Sequence, residues 1–227
     1  MQGSPLCFKT VKRQGSAYLC EKSNNDGFDS AMAIRKMLFE GKTDELETRL
    51  PKRSFEVLKT AKQKGEIFDP DKYTDAATMY FRLLNNTTDE PFAECEGGVL
   101  ERICKIANET SENNRFWELL STKRYTDSKL RRAVLFAMCN VRKSDIKALP
   151  SYTVLLAASE CGRVMLNDRR RSSEMLVITK PADVFDVCGE SAQRQRELGV
   201  KLASIYNFCL EKSAPTGESM KKKPYIT

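Results

Sequence analysis

Apolar residues recur at helical spacing in one segment after another of this chain, and that recurrence sets its fold class. Ile34, Met37 and Leu38 mark a helix that starts at Asp29-Ser30, runs to about Glu40 and stops at Gly41. Leu50-Pro51 breaks the chain. Phe55, Leu58 and Ala61 mark a second helix over 54–64, ended by Gly65, and Phe68-Asp69-Pro70 reads as a turn. Ala76, Ala77, Tyr80, Phe81 and Leu84 give a third helix over 73–84, followed by a polar loop over 85–95. Val99, Leu100, Ile103 and Ile106 give a helix over 98–110. Phe116, Trp117, Leu119 and Leu120 give a short one over 115–120. Leu130, Val134, Leu135, Met138 and Val141 form the apolar face of the next, capped by Thr126 or Asp127.

After Pro150 the pattern changes. The apolar run 152–158 reads as a strand, Cys161-Gly162 opens a short helix with Val164 and Leu166, and 176–179 reads as a second strand. Strand–helix–strand at this length predicts a small parallel βαβ unit. A last helix over 191–211 carries Leu198, Leu202, Ile205, Tyr206 and Phe208. At the start, 6–11 reads as a short strand that cannot bury a core alone. The tail 213–227, with Lys221-Lys222-Lys223, is polar and expected to be loose. The expected class is mainly α (α+β), a multi-helix domain with a small C-terminal βαβ unit.

Composition excludes several chemistries. There is no histidine in 227 residues, so neither a Ser-His-Asp nor a Cys-His arrangement is available. Acid–base work would fall to carboxylates, Lys, Tyr or Cys. The eight cysteines are scattered, with no C-x-x-C pair, which argues for reduced thiols and against a metal site. Apolar runs are too short to span a bilayer, and 1–10 lacks the apolar stretch of a signal peptide. The expected location is cytoplasmic, with no membrane partner.

Positive charge is concentrated in one place. Seven basic residues and one acidic residue stand between Thr122 and Lys143, a net +6 against +7 for the whole chain. Lys123, Arg124, Lys129, Arg131 and Arg132 lie in the turn or off the apolar face of the helix that follows. Such a patch suits a phosphate backbone, and a solvated basic helix face is the plainer alternative. A second, smaller anion site is conceivable where Ser30 caps a helix and Arg35 follows just over one turn later.

Several segments together resemble one family, the bacterial tRNA(Met) cytidine acetate ligases, which are nucleotidyltransferase-like. Lys12-Arg13 with Gly15 and Tyr18 is similar to its K-R-x-G-x-x-Y segment, and Ser30-Ala31-Met32-Ala33-Ile34-Arg35 to S-A-T-A-I-R. Leu50-Pro51, Glu96-Gly97 through Arg102-Ile103 (four intervening residues here against three in the pattern), and Thr122-Lys123-Arg124-Tyr125-Thr126 with Arg132 are similar to L-P, E-G-x-x-x-R-I and T-K-R-Y-T followed by a basic helix. Three positions depart from the pattern. The family's H-x-G-H is absent, Met32 stands for Thr, and Thr153 stands where an Arg is usual.

The resemblance implies an ATP-dependent ligase that acetylates the wobble cytidine of elongator tRNA(Met) through acetyl-adenylate, using ATP, acetate and Mg. It implies Lys12, Arg13, Ser30 and Arg35 as ATP or phosphate contacts, and Lys123, Arg124, Tyr125, Lys129, Arg131 and Arg132 as tRNA contacts. Residues 1–45 are expected to be the tail of a Rossmann-like nucleotidyltransferase domain. Residues 46–212 are expected to be a helical tRNA-binding domain, and 213–227 a flexible tail. Without H-x-G-H this chain alone is expected to be inactive, with a separate N-terminal H-x-G-H fragment as a partner. A non-catalytic helical RNA-binding or protein-interaction module is the alternative.

Overall fold

The computed structural model describes residues 9–12, 29–84, 91–110, 113–170, 175–187, 189–217 and 223–226. The chain divides into two compact units, 1–64 and 65–227.

The first unit holds three helices, α1 (Ala31–Phe39), α2 (Thr43–Arg49) and α3 (Lys52–Lys64). α1 begins where the Ser30 hydroxyl accepts the Ala33 N–H at 3.1 Å, and ends at Gly41, whose φ of +72° suits a residue without Cβ. α2 has one buried side chain, Leu46, but Asp44 and Glu45 sit in its first turn and Arg49 in its last, each favourable to the helix dipole. Ala33, Met37, Leu46 and Phe55 form the small core. Residues 6–8 of the expected strand over 6–11 lie outside the described residues, and the rest, from Lys9 on, is irregular.

The second unit carries the larger core. α4 (Pro70–Leu83) starts where Asp69 accepts the N–H groups of Asp71 and Lys72, with Pro70 in the first turn. The tripeptide read as a plain turn is therefore a helix start, since Pro needs no N–H partner there. α5 (Val99–Glu109) buries Val99, Leu100, Ile103, Ile106 and Ala107 on one face. α6 (Asn113–Leu120) and α7 (Asp127–Cys139) complete the cluster, in which Phe81, Phe116, Ile103 and Val134 are fully enclosed. α7 buries Leu130, Ala133, Val134 and Ala137, while Leu135 and Met138, expected on that face, are only half-buried. Asn140, at φ +61°, closes α7, with Val141 N–H donating to the Phe136 carbonyl at 2.8 Å.

A short helix, α8 (Lys143–Lys147), leads to the mixed part. β1 (Tyr152–Val154) pairs in parallel with β3 (Leu176–Ile178), and α9 (Glu160–Arg170) lies between them in sequence, which is the expected βαβ unit. The single strand read over 152–158 is two. After Leu155 donates to the Ile178 carbonyl at 2.8 Å the chain leaves that ladder, and β2 (Ala157–Ala158) pairs with β4 (Tyr225–Ile226) instead. A 3₁₀ turn (Pro181–Asp186) precedes α10 (Glu190–Phe208). β4 lies in the stretch expected to be a loose tail. The start of that stretch is tied down as well: Lys72 Nζ donates to Ser213 Oγ at 3.4 Å, the Ala214 N–H donates to the Asn207 carbonyl, and the Asn207 amide donates to the Pro215 carbonyl. Residues 65–69 and 209–212 close the unit as an antiparallel ladder: Asp69 N–H donates to Cys209, Glu211 N–H to Ile67 and Lys212 N–H to Gly65.

Candidate nucleic-acid interface

The turn from Ser121 to Thr126 is built by short polar side chains. Thr122 Oγ1 accepts the Tyr125 N–H at 3.1 Å, Thr126 Oγ1 accepts the Lys129 N–H at 3.3 Å, and Ser121 Oγ donates to Asp127 at 2.9 Å. These bonds fix the first turn of α7, with Thr126 as its cap. Arg102, from α5, fastens the other end. Its guanidinium donates to the Leu120 carbonyl at 3.2 Å and also to the carbonyl of Leu119. A charged donor on the last carbonyls of α6 suits the negative end of that helix.

Tyr125 is half-buried against the core, and its hydroxyl donates to the Gly97 carbonyl at 3.4 Å. Gly97 has φ +63°, and a Cβ there would stand 3.0 Å from that hydroxyl. The Glu96-Gly97 and Thr122–Thr126 segments, separate in sequence, thus form one structure, and only glycine meets both demands. Gly97→Ala is expected to cost about 1–2 kcal/mol from the left-handed backbone, plus displacement of Tyr125. Gly98→Ala is the comparison, because Gly98 also has positive φ but no atom near the added Cβ. Chemical denaturation of both variants should place Gly97→Ala lower. Equal losses would mean that the Tyr125 contact constrains nothing.

The cations divide into two groups. Arg132 makes a bidentate pair with Glu94, both contacts at 2.9 Å, and this hydrogen bonding pushes its pKa up from the ordinary value. Lys143 pairs with Glu96 at 2.5 Å, and its hydrogen bond holds that carboxyl below the usual range. Lys123, Arg124, Lys129 and Arg131 have no carboxylate within ion-pair distance among the described residues. Three of these four lie over aromatic rings instead. Arg124 and Lys129 sit 5.1 and 4.8 Å from the Tyr125 ring centre, and Arg131 sits 4.5 Å from that of Trp117. Ring stacking holds a cation in place without neutralising it. The fold therefore gathers the sequence-named cations around one turn, and commits Arg132 to a carboxylate.

The phosphate-site residues are less favourably disposed. Ser30 is fully buried and its hydroxyl accepts from Ala33, while Arg35 is exposed on α1. Asp29, its side chain fully buried, lies next to Ser30 in sequence and 3.7 Å from Arg49. Lys12 is exposed, and Arg13 lies outside the described residues. Elsewhere, burial pushes the Cys95 thiol up to about 12, and its Sγ lies 3.6 Å from the Ala133 carbonyl, as befits a core side chain rather than a nucleophile. Among the described residues no cluster of His, Cys, Asp or Glu is arranged to hold a metal ion, and no helix is long and apolar enough to cross a membrane.

Comparison with known proteins defines the class. The sequence profile of the HIGH nucleotidyl transferases matches residues 1–221, and the chain belongs to that family. Within it, the chain is similar to proteins named tRNA(Met) cytidine acetate ligase. One from Thermoanaerobacter sp. (strain X514) is 26% identical over 218 residues, covering 95% of this chain and 53% of that protein. One from Thermotoga maritima is 30% identical over 183 residues, covering 78% and 43%. The chain thus spans about half the length of the curated relatives it matches. The crystal structure of apo Thermotoga maritima TmcAL superposes with a TM-score of 0.84 at 25% identity, covering 95% of this chain and 54% of that one. The TmcAL structure with bound alpha-thio ATP gives 0.79 at 24% identity, over 89% of this chain and 53% of that one. The mixed, mainly helical fold is the one expected.

Sequence reasoning named the cations but missed what orients them. Gly97 and Arg102 belong to the segment from Glu96-Gly97 to Arg102-Ile103, which was the available signal for both. Glu94 gave none, because its partner is 38 residues away.

Proposed function

We propose that this chain is the tRNA-holding part of a tRNA(Met) cytidine acetate ligase, and that the turn at Lys123–Thr126 with the start of α7 is its phosphate-contacting surface. The observation that carries this is the group of four cations with no carboxylate within ion-pair distance among the described residues, three of them stacked on the rings of Tyr125 and Trp117. A surface meant only for solubility gains nothing from cations held in fixed positions. A surface for a polyanion does, because side chains already placed lose less freedom on binding. The names of the relatives and the likeness to TmcAL support tRNA as the polyanion. Lys123, Arg124, Lys129 and Arg131 are the direct contacts in this reading, with Tyr125 beneath them.

Arg132 has a different part. Its fork is held by Glu94, so it shapes the surface and contributes to the field without being free to take a phosphate. ATP and acetate are the proposed co-substrates of the complete reaction. Lys12, Arg13, Ser30 and Arg35 are the proposed ATP-side residues, with exposed Arg35 best placed to reach a phosphate and Ser30 supporting it by capping α1.

The test is tRNA binding by the purified chain over a salt series. Arg124→Ala should flatten the plot of log K against log salt by about 0.9 for duplex contact, or about 0.7 for single strands. Arg132→Ala should flatten it by clearly less. Lys223→Ala, an exposed lysine near the end of the chain, is the control of equal charge. If Lys223→Ala flattens the slope as much as Arg124→Ala, binding is diffuse and the surface at α7 is not the site.

A further inference from the structure

The two neutralised cations beside the basic turn draw their carboxylates from one loop. Glu94, which holds Arg132, and Glu96, which holds Lys143, stand two residues apart just before α5. The loop borders the turn, because the carbonyl of the next residue, Gly97, accepts the Tyr125 hydroxyl. The hydrogen bond from Lys143 is the largest influence holding the Glu96 carboxyl below the usual range, and the charge of Lys129 adds to it. Glu96 therefore faces the start of α7 as well as α8.

Glu94 adopts a backbone conformation that its residue type disfavours. Its φ is +59°, where a Cβ crowds the backbone and glycine or asparagine is the usual choice. The neighbours on either side are fixed. Ala93 is buried and its N–H donates to the Val141 carbonyl at 2.9 Å, and Cys95 is buried with its Sγ 3.6 Å from the Ala133 carbonyl. A glycine would fit position 94 with less strain, so a carboxylate stands there against the backbone preference. Strain of this kind persists where the surroundings over-determine it, and it concentrates at functional positions. The carboxylate occupies Arg132 Nε and Nη2, each at 2.9 Å, on a side chain that is half exposed and would otherwise meet an anion from solvent.

This placement has a consequence for an anionic partner. A helix with an unbroken row of cations accepts a phosphate backbone in many positions, because phosphate contacts carry no sequence information. Discrimination then calls for a repulsive element beside the attractive one. We infer that Glu94 and Glu96 are that element, an acidic margin that withholds Arg132 and Lys143 from a polyanion and confines its phosphates to Lys123, Arg124, Lys129 and Arg131. The inference rests on the reading that the turn takes RNA phosphates.

The experiment measures binding of a mixed-sequence RNA duplex by the full chain over a salt series. Glu94→Gln keeps the shape and removes the charge that neutralises Arg132. It should bind about tenfold more tightly at low salt, the effect of one added charge-assisted contact, and its plot of log K against log salt should steepen by about 0.9. Adding Arg132→Ala to Glu94→Gln should cancel both gains. Glu96→Gln should steepen the slope by the same increment through Lys143, and adding Lys143→Ala should cancel that. Glu94→Gly removes the carboxylate and relieves the left-handed backbone, so it decides the matter if Glu94→Gln does not fold; it should steepen the slope equally. Chemical denaturation followed by Trp117 emission checks that each variant is folded. An unchanged or flatter slope in a folded position-94 variant makes the pair a brace and overturns the margin. A steeper slope that survives Arg132→Ala also overturns it, because the gain then comes from net charge alone. If Arg124→Ala leaves the wild-type slope unchanged, the phosphate surface falls and the margin falls with it.

Discussion

Phe116→Ala should destabilise the second unit by about 3–5 kcal/mol, the range for emptying a phenylalanine site in a closed core. Phe116 is 0% exposed and meets the Trp117 ring edge-on, at 5.1 Å and 86°. It lies within the cluster that α4, α5, α6 and α7 form together, so the space left behind is ringed by helices that cannot all shift inward. Against a typical total of about 5–15 kcal/mol, the loss is roughly a fifth or more of what holds a domain folded. Leu119, three residues on and 41% exposed, is the comparison: Leu119→Ala should cost less than about 1 kcal/mol. Chemical denaturation followed by Trp117 emission measures the unit concerned, because no other tryptophan exists in the chain. A Phe116→Ala midpoint close to that of Leu119→Ala would show that the core yields far more than its packing implies. The functional consequence is direct. Trp117 and the turn that follows α6 are held where they are by this core, so on the proposed reading RNA affinity should fall only as the folded fraction falls.

The helices of this core were legible because burial leaves a period in the sequence. α5 buries positions that repeat every three or four residues, and α7 announces its start with Thr126. α2 was not legible, because one apolar residue in seven, Leu46, leaves no period. The run from Tyr152 to Ala158 shows the opposite failure. It is apolar almost throughout, and a continuous apolar run cannot tell one strand from two. What separates β1 from β2 is the pairing partner, β3 for the first and β4 for the second, and both partners lie far along the chain. The candidate site divides in the same way. Lys123, Arg124, Lys129 and Arg131 were legible as charges crowded into one stretch. That Arg132 is committed to Glu94, that Gly97 seats Tyr125, and that Arg131 lies over Trp117 depend on contacts between helices and loops distant in sequence.

Breaking the Asp145–Arg194 pair should cost about 2–3 kcal/mol. Asp145, in α8, accepts Arg194 Nε at 2.8 Å and Nη2 at 2.7 Å, and also the Arg142 backbone N–H at 2.7 Å. The same guanidinium reaches back to the Asn140 carbonyl at 2.5 Å, so one side chain of α10 clamps both the end of α7 and the start of α8. The Asp145 side chain is 10% exposed and that of Arg194 30%. Removing the carboxylate strands a half-covered charge, which places the cost below the 3–5 kcal/mol of fully buried pairs. Asp145→Asn keeps the shape and loses the charge, and Arg194→Met keeps much of the stem. A double-mutant cycle of the two isolates the pair, and a coupling near zero would show that solvent screens it. The pH dependence supplies the sign. Hydrogen bonding from Arg194 and then from the Arg142 N–H holds the Asp145 carboxyl below its ordinary value, against the opposing effect of burial. A carboxyl lowered in the folded state contributes stability in full above its unfolded pKa, about 3.9, and loses that contribution as pH falls through the lower folded value. The gap between wild type and Asp145→Asn should therefore stay constant from neutral pH down to about 4, and close below that. Closing at higher pH would mean that the carboxyl is not held charged by Arg194. On the proposed reading both proteins should bind RNA alike near neutral pH while folded, because the clamp acts on the far end of α7 from Tyr125.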